Sequence, residues 1–407
     1  MHVPRFLAVA GAAALAVTAL GMSSAQADPA STPAVTSLVA VGSDTIQFVA
    51  DSFATAYNAT TPAPANPFAS YDATGTTPIE TKNDTNCTNI ARPNGSGAGI
   101  NQLAAWIGTS AKVPTKTYGY ACVDMARASR NLTASDPNWL TSVLFAHDLI
   151  TYATNTGGNG TTTAVTDTEL TAIYECNASL IPHTPAYPDA PVTWSEVGGT
   201  STDAISPVLP QAGSGTRSQW LTDIGVTTPG SCVVNGTFGG SSIEENEGTN
   251  AVFTSAGNPT GWKDVLFPYS GGVYVCQVYT SNCGTINTAE GSLVLRNIDS
   301  KAPLTTATPP VINVTGLSAF PAKYIRGLYF VVRNGGSQSA PKVATPTTTG
   351  SQWPVDMTPF LGQGNTSGWI CGTAAATIIK NYGFATVTNC GSLLNSTATP
   401  SPAPVTP

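Results

Sequence analysis

Charge is scarce in this 407-residue chain, where Asp, Glu, Lys and Arg make up 10% of residues against about a quarter in ordinary globular domains. The little there is leans acidic, with a formal net charge of −7. Nucleic acid is therefore excluded as a partner, because phosphate neutralisation needs a basic stripe. Histidine is scarcer still, limited to His2, His147 and His183. That excludes a multi-histidine metal centre and argues against a His-based triad. No Gly-x-Ser-x-Gly elbow, Walker A loop or dinucleotide fingerprint is present, so neither hydrolase chemistry nor a cofactor is implied. Close-spaced Cys-x₂₋₄-Cys pairs, the mark of structural zinc, are missing as well. The longest apolar run, Phe6–Leu20, is too short and alanine-rich to span a bilayer.

What that run does fit is an export signal. Arg5 supplies the positive start, Phe6–Leu20 the apolar centre, and Ala25-Gln26-Ala27 a small-x-small cleavage site before Asp28. No cysteine follows, so no lipid anchor is expected and the mature chain is read as secreted. Its 15 basic and 23 acidic residues leave a charge of −8. Eight cysteines, all beyond the signal, read as disulfides of an oxidising compartment. Eight allow 105 connectivities; loop economy favours neighbours, Cys87–Cys122, Cys176–Cys232, Cys276–Cys283 and Cys371–Cys390.

Length allows one large domain or two ordinary ones. Residues 28–36 read as a Pro/Ser/Thr linker and 396–407 as a low-complexity tail. Between them short β-rich runs alternate with helical patterns, which predicts α/β layers. Ser37–Val41 reads as a strand. Asp44-Thr-Ile-Gln47 reads as a capping box before apolar positions Ile46, Val49, Phe53 and Tyr57 at helical spacing. Asn94–Gly99 leads into Ile100, Leu103 and Trp106, and Thr166-Asp-Thr-Glu169 is a second capping box. Ile205–Leu209 precedes Gly213-Ser-Gly-Thr216 and then Trp220, Leu221 and Ile224. Further strands are expected at Leu144–Thr154, Gly272–Tyr279 and Tyr329–Arg333, and a last helix at Trp369–Tyr382.

The chemistry concentrates where helices begin. Ser43-Asp44-Thr45, Gly95-Ser96-Gly97 and Gly213-Ser214-Gly215-Thr216 each put small residues and hydroxyls at a helix start. Such a start exposes unpaired N–H donors and the positive end of the macrodipole, which attract anions. One Gly-Ser-Gly is more often an ordinary cap, but three in one chain favour an anion cradle. His147 reads as structural, since adjacent strand residues His147 and Asp148 point to opposite faces. Glu244-Glu245-Asn246-Glu247 reads as a solvated helix start rather than a metal site.

Together these motifs resemble the phosphate-binding protein of the bacterial Pst-type ABC transporter, a two-lobed solute-binding family. The resemblance runs through Gly42-Ser-Asp-Thr45, Gly95-Ser-Gly-Ala-Gly-Ile-Asn-Gln-Leu103, Val123–Arg130, Asp148–Asn155, Leu170–Tyr174, Gly213–Thr216, Glu245–Gly248 and Gly271–Tyr274. It implies an α/β, two-lobed fold of the type II periplasmic-binding-protein-like class, with a ligand cleft between lobes. Residues 37–145 and 275–395 would form one lobe and 146–270 the other. It also implies a non-catalytic monomer that captures an inorganic oxyanion, foremost phosphate, and hands it to an ABC transporter permease. The implied contacts are Ser43, Asp44, Thr45, Ser96, Ser214, Gly215 and Thr216. The family's aspartate falls on Ser129 and its arginine on Pro210, so Arg130 and Arg217 become the candidate cations. Asp44 is either a proton acceptor or an N-cap; Arg127 and Arg130 read equally as surface or ion-paired residues. A degenerate scaffold serving as a secreted adhesive or assembly protein, or an extracellular phosphatase, are the rival readings.

Overall fold

A computed structural model describes residues 28–85, 87–105, 122–138, 140–160, 164–181, 190–280, 290–315, 319–333, 356–363 and 366–395. The export signal, Trp106, Cys283 and the tail 396–407 lie outside the described residues.

The molecule is organised around one mixed sheet. Its main strands are β1 (Leu38–Gly42), β2 (Phe68–Ser70), β3 (Met125–Ala128), β4 (Leu140–Asn155), β5 (Ser206–Leu209), β6 (Val234–Asn235), β7 (Val265–Ser270) and β8 (Ile325–Arg333). They run in the order β2-β1-β3-β8-β4-β7-β5-β6. The outer strands pair in parallel at both ends, while β8 is antiparallel to β3 and to β4, and β4 is antiparallel to β7.

One strand joins the two halves. β4 pairs with β8 from Leu140 to Leu149 and with β7 from Ile150 onward. All sixteen of its residues but His147 are buried, because helices cover both faces of each half. That continuous burial explains why no apolar-polar alternation marks the strand in sequence. In the first half, α1 (Gln47–Asn58) and α6 (Thr373–Asn381) cover one face, with Phe53, Phe68, Phe330 and Phe360 between. α2 (Ser96–Ala104) contributes Ile100 and Leu103 to the opposite face. In the second half, α3 (Asp167–Glu175) and α4 (Gly215–Asp223) pack Tyr174 and Trp220 against Tyr152. The other face gathers Phe253, Phe267 and Tyr269. Two lobes, each an α/β sandwich, result.

The local readings hold where the signal is local. Thr166 and Glu169 form the reciprocal capping box of α3. The bonds Cys87–Cys122, Cys176–Cys232 and Cys371–Cys390 are present, and Cys276 is disulfide-bonded too. Four readings are corrected. Gly272–Tyr279, read as a strand for its valines, is the helix α5 (Gly271–Tyr279), because Ser270 caps it by accepting the Val273 N–H and Asp148 takes the Gly272 N–H. Asp44 is no side-chain cap: Asp44–Ile46 is a 3-10 turn without one, and the α-helix begins at Gln47. Glu244–Glu247 starts no helix, and Glu245 is buried rather than solvated. The expected last helix is split at Gly372 into a 3-10 turn, Trp369–Cys371, and α6.

Candidate functional site

Three helix starts meet where the halves of the sheet join. β1 ends at Gly42 and turns directly into Ser43 and Thr45, both buried. β3 ends at Ala128 and delivers Ser129, also buried. α2 begins at Ser96 and α4 at Gly215, capped by Ser214. Within the first half, Ser129 Oγ lies 3.1 Å from Ser43 Oγ and 3.2 Å from Ser96 Oγ. Ser96 Oγ also accepts the Ser129 N–H at 3.0 Å. Across the halves, Thr45 Oγ1 lies 3.5 Å from Thr216 Oγ1. The Gly97 N–H donates to Gly213 O at 3.0 Å, and Gln211 Nε2 donates to Asn94 Oδ1 at 2.8 Å.

Two glycines make that approach sterically feasible. Gly95 has φ +99°, and a Cβ there would overlap Gly213 O of the opposite half. A Cβ on Gly215 would overlap the hydroxyls of Ser96 and Ser129. Only glycine satisfies both positions.

The charge at this junction comes from an unexpected residue. Arg326, on β8 directly opposite Asp148 of β4, donates through Nε at 3.0 Å and Nη2 at 2.8 Å to Asp148 Oδ2. Its remaining donors reach Thr216 Oγ1 at 3.0 Å, Ser129 O at 3.2 Å and Thr45 Oγ1 at 3.4 Å. Both partners are almost wholly buried. Asp148 is further held by the Ser270 hydroxyl at 2.8 Å and the Gly272 N–H at 2.9 Å. The pair sits where β4 changes partner, so one guanidinium touches hydroxyls of both halves.

The two arginines expected from sequence do not join the cluster. Arg130 closes on Asp136 in a two-pronged pair at 2.7 and 3.0 Å. Arg217 turns back to Pro210 O at 3.0 Å. Ser43, Thr45, Ser96, Ser129, Ser214, Gly215 and Thr216 are gathered together, and Asp44 lies at their edge.

A carboxylate also sits among them. Glu245 Oε2 accepts the Ser214 hydroxyl at 2.5 Å and the Thr216 N–H at 3.0 Å, the donors a helix start offers to an anion. Its other oxygen, Oε1, is buried without a hydrogen-bond partner among the described residues. The neighbouring Asn246 donates to Thr45 Oγ1 at 3.2 Å and to Asp44 Oδ1 at 3.5 Å. Burial first, and the Glu245 charge second, push the Asp44 carboxyl well above the usual carboxylate range. A carboxyl raised in this way holds its proton more readily than a free one and, when protonated, can donate as well as accept. Among the described residues no group of three His, Cys, Asp or Glu is placed to hold a metal ion, and no helix is long and apolar enough to cross a membrane.

Residues 27–344 match the model of the PBP superfamily domain. The chain belongs to the PBP superfamily. No curated protein matches it in sequence. Solved structures similar to this PBP superfamily member include an ABC-type phosphate transport receptor from Vibrio cholerae, 16% identical, with a TM-score of 0.48 over 86% of this chain and 100% of that one. PstS from Borrelia burgdorferi is 17% identical, with a TM-score of 0.39 over 86% and 98%. A phosphate-binding protein from Stenotrophomonas maltophilia is 14% identical, with a TM-score of 0.42 over 87% and 91%.

Arg326, Glu245 and Asn246 are the parts of this PBP superfamily site that sequence reasoning did not place. One signal was available for Arg326. It is a charge inside Ile325–Val332, an otherwise apolar strand, and a buried charge requires a partner.

Proposed function

We propose that this exported PBP superfamily protein captures a small inorganic oxyanion, foremost phosphate, between its two lobes and performs no chemistry on it. In this reading residues 37–145 and 275–395 form one lobe, 146–270 the other, and closure about β4 buries the ligand. The observation that carries it is that the Arg326 guanidinium touches the hydroxyls of two helix starts, Thr45 and Thr216, with the third, at Ser96, one hydrogen bond away through Ser129. Backbone N–H groups, hydroxyls and one guanidinium would hold the oxygens. That reconciles an acidic protein with an anionic ligand, because local donors and not net charge do the holding. Ser43, Thr45, Ser96 and Ser129 would act from one side, Ser214, Gly215 and Thr216 from the other. Arg326 takes the place of a cation that Pro210 does not supply. Asp44, its carboxyl raised by burial, would discriminate by accepting or donating one hydrogen bond to a ligand hydroxyl. Delivery to a transporter permease is the corresponding biological role.

Glu245 favours a second reading, in which the scaffold keeps the fold but its own carboxylate fills the anion's seat. Isothermal titration with phosphate separates the two, using exhaustively dialysed protein and sulfate as competitor. Saturable phosphate binding, lost in Ser214→Ala/Thr216→Ala and weakened in Arg326→Met, supports capture. No heat and no thermal shift with either anion, in wild type and in Glu245→Gln alike, refutes it.

A further inference from the structure

A helix start leaves its first N–H groups without intrahelical partners. One such donor at the junction is already spent. The Gly97 N–H, in the first turn of α2, donates to Gly213 O of the opposite half at 3.0 Å, and Gly213 immediately precedes Ser214, the cap of α4. The halves are thus bonded to each other directly, with no ligand between these groups.

A side-chain contact reinforces that bond. Asn94, two residues before the start of α2, uses both ends of its amide on the opposite half. Its Nδ2 donates to Glu244 Oε2 at 2.8 Å, and its Oδ1 accepts from Gln211 Nε2 at 2.8 Å. A side-chain amide offers its donor nitrogen and acceptor oxygen at a fixed spacing, so both bonds form together only at one placement of the halves. Gln211 is held ready within its own half. Its Oε1 accepts the Glu245 N–H at 3.1 Å, and its own N–H donates to Ile243 O at 2.8 Å. Asn94 and Glu244 are half-buried, whereas Ser96, Ser214 and Thr216 are buried. These bonds therefore lie at the rim of the junction, outside the hydroxyl cluster.

We infer that Asn94, Gln211, Glu244 and the Gly97–Gly213 bond form a clasp that holds the lobes closed for part of the time without any ligand. This rests on the two-lobe closure of the proposed function but not on the identity of the ligand, since none of the clasp side chains is among the proposed ligand contacts. Hydrogen bonds made only in the closed arrangement bias the opening equilibrium toward it. A ligand that selects the closed arrangement then has less to supply, and its apparent affinity rises with the closed fraction. Asn94 and Glu244 are accordingly positioning residues, acting through closure.

Amide hydrogen exchange of the full mature chain, dialysed free of anions, reads the clasp at Gly97, whose N–H has no partner within α2. In wild type it should exchange about three- to tenfold more slowly than an unpaired amide. Asn94→Ala and Glu244→Ala should each bring it close to the unpaired rate. Glu244→Gln keeps an acceptor for Asn94 and should retain most of the protection, while the amides of β4, which open only when a lobe unfolds, stay unchanged. No protection in wild type, indifference to Asn94→Ala, equal loss in Glu244→Ala and Glu244→Gln, or parallel loss along β4 each overturns the clasp. Calorimetric titration with phosphate separates this inference from oxyanion capture. Where wild type binds phosphate, Asn94→Ala should weaken it by about threefold or more; unchanged affinity overturns the clasp and leaves capture standing. Where wild type binds no phosphate, capture fails and the exchange rates alone decide the clasp.

Discussion

Arg326→Met tests the centre of the argument, because it removes a charge and leaves the rest of the side chain's bulk. Asp148 is fully buried and Arg326 is 3% exposed, so the lost cation strands a carboxylate in a low-dielectric junction. Breaking one partner of such a pair costs about 3–5 kcal/mol. Asp148 keeps the Ser270 hydroxyl and the Gly272 N–H, which places the expected loss near the lower end, about 3 kcal/mol. Asp148→Asn removes the charge but leaves Arg326 on Thr216 Oγ1 and Ser129 O, and should cost about 2 kcal/mol. The double variant should then be less destabilised than the sum of the singles by roughly 2 kcal/mol. Urea is the right denaturant, since guanidinium screens the pair being measured. Tryptophan fluorescence and near-ultraviolet circular dichroism must give coincident transitions before a free energy is assigned. Additivity within about 0.5 kcal/mol would mean that the two residues do not act as a pair and that Arg326 is free to turn elsewhere. The same Arg326→Met variant should lose roughly ten- to a hundredfold in phosphate affinity, the worth of a charged hydrogen bond, whereas Arg217→Met should leave it nearly unchanged.

Glu245→Gln keeps an acceptor for Ser214 but removes the negative charge at the α4 start, so phosphate should bind more tightly by roughly a factor of ten or more; calorimetry giving equal or weaker binding refutes the view that Glu245 competes with the ligand. Asp223, near the end of α4, is pushed up to about 7, chiefly by burial, and its Oδ2 has no partner among the described residues. A carboxyl raised in this way favours folding below its ordinary pKa and costs stability as pH rises through about 7. Asp223→Asn should therefore stabilise the protein by at most about 4 kcal/mol at pH 8 and by nothing below pH 4, read from urea curves at both pH values; a pH-independent effect refutes it. Gly95→Ala puts a methyl against Gly213 O, so X-ray scattering should find no compaction on adding phosphate, and compaction equal to wild type would refute the closure geometry.

What the sequence disclosed and what it hid divide along contact distance. The α3 capping box, the hydroxyl turns before α2 and α4, and the neighbour disulfides are written within a few tens of residues, where spacing and side-chain chemistry suffice. The valines of Gly271–Tyr279 misled for the opposite reason: strand propensity is a statement about packing surroundings, and here Asp148, 124 residues away, claims the Gly272 N–H and fixes a helix start. Arg326 and Asp148 stand 178 residues apart, and only the β4–β8 register makes them neighbours. Yet each is a charge within a strand buried on both faces, and buried charges of opposite sign are expected to find each other. That rule alone would have proposed the pair, but it would not have been decisive. Arg333, a second buried arginine of β8, spends its donors on the carbonyls of Leu103 and Val123; Leu103 lies in the last turn of α2, where the helix end presents unpaired acceptors. A buried arginine in a strand of this kind thus has two physical solutions, a carboxylate or a helix end. The difference between them bears on the proposed oxyanion site. Arg333 donates to the carbonyls of Leu103 and Val123 and feels the Asp124 charge, which ties it into the scaffold, whereas Arg326 is held by Asp148 and still turns donors toward the hydroxyls of both lobes.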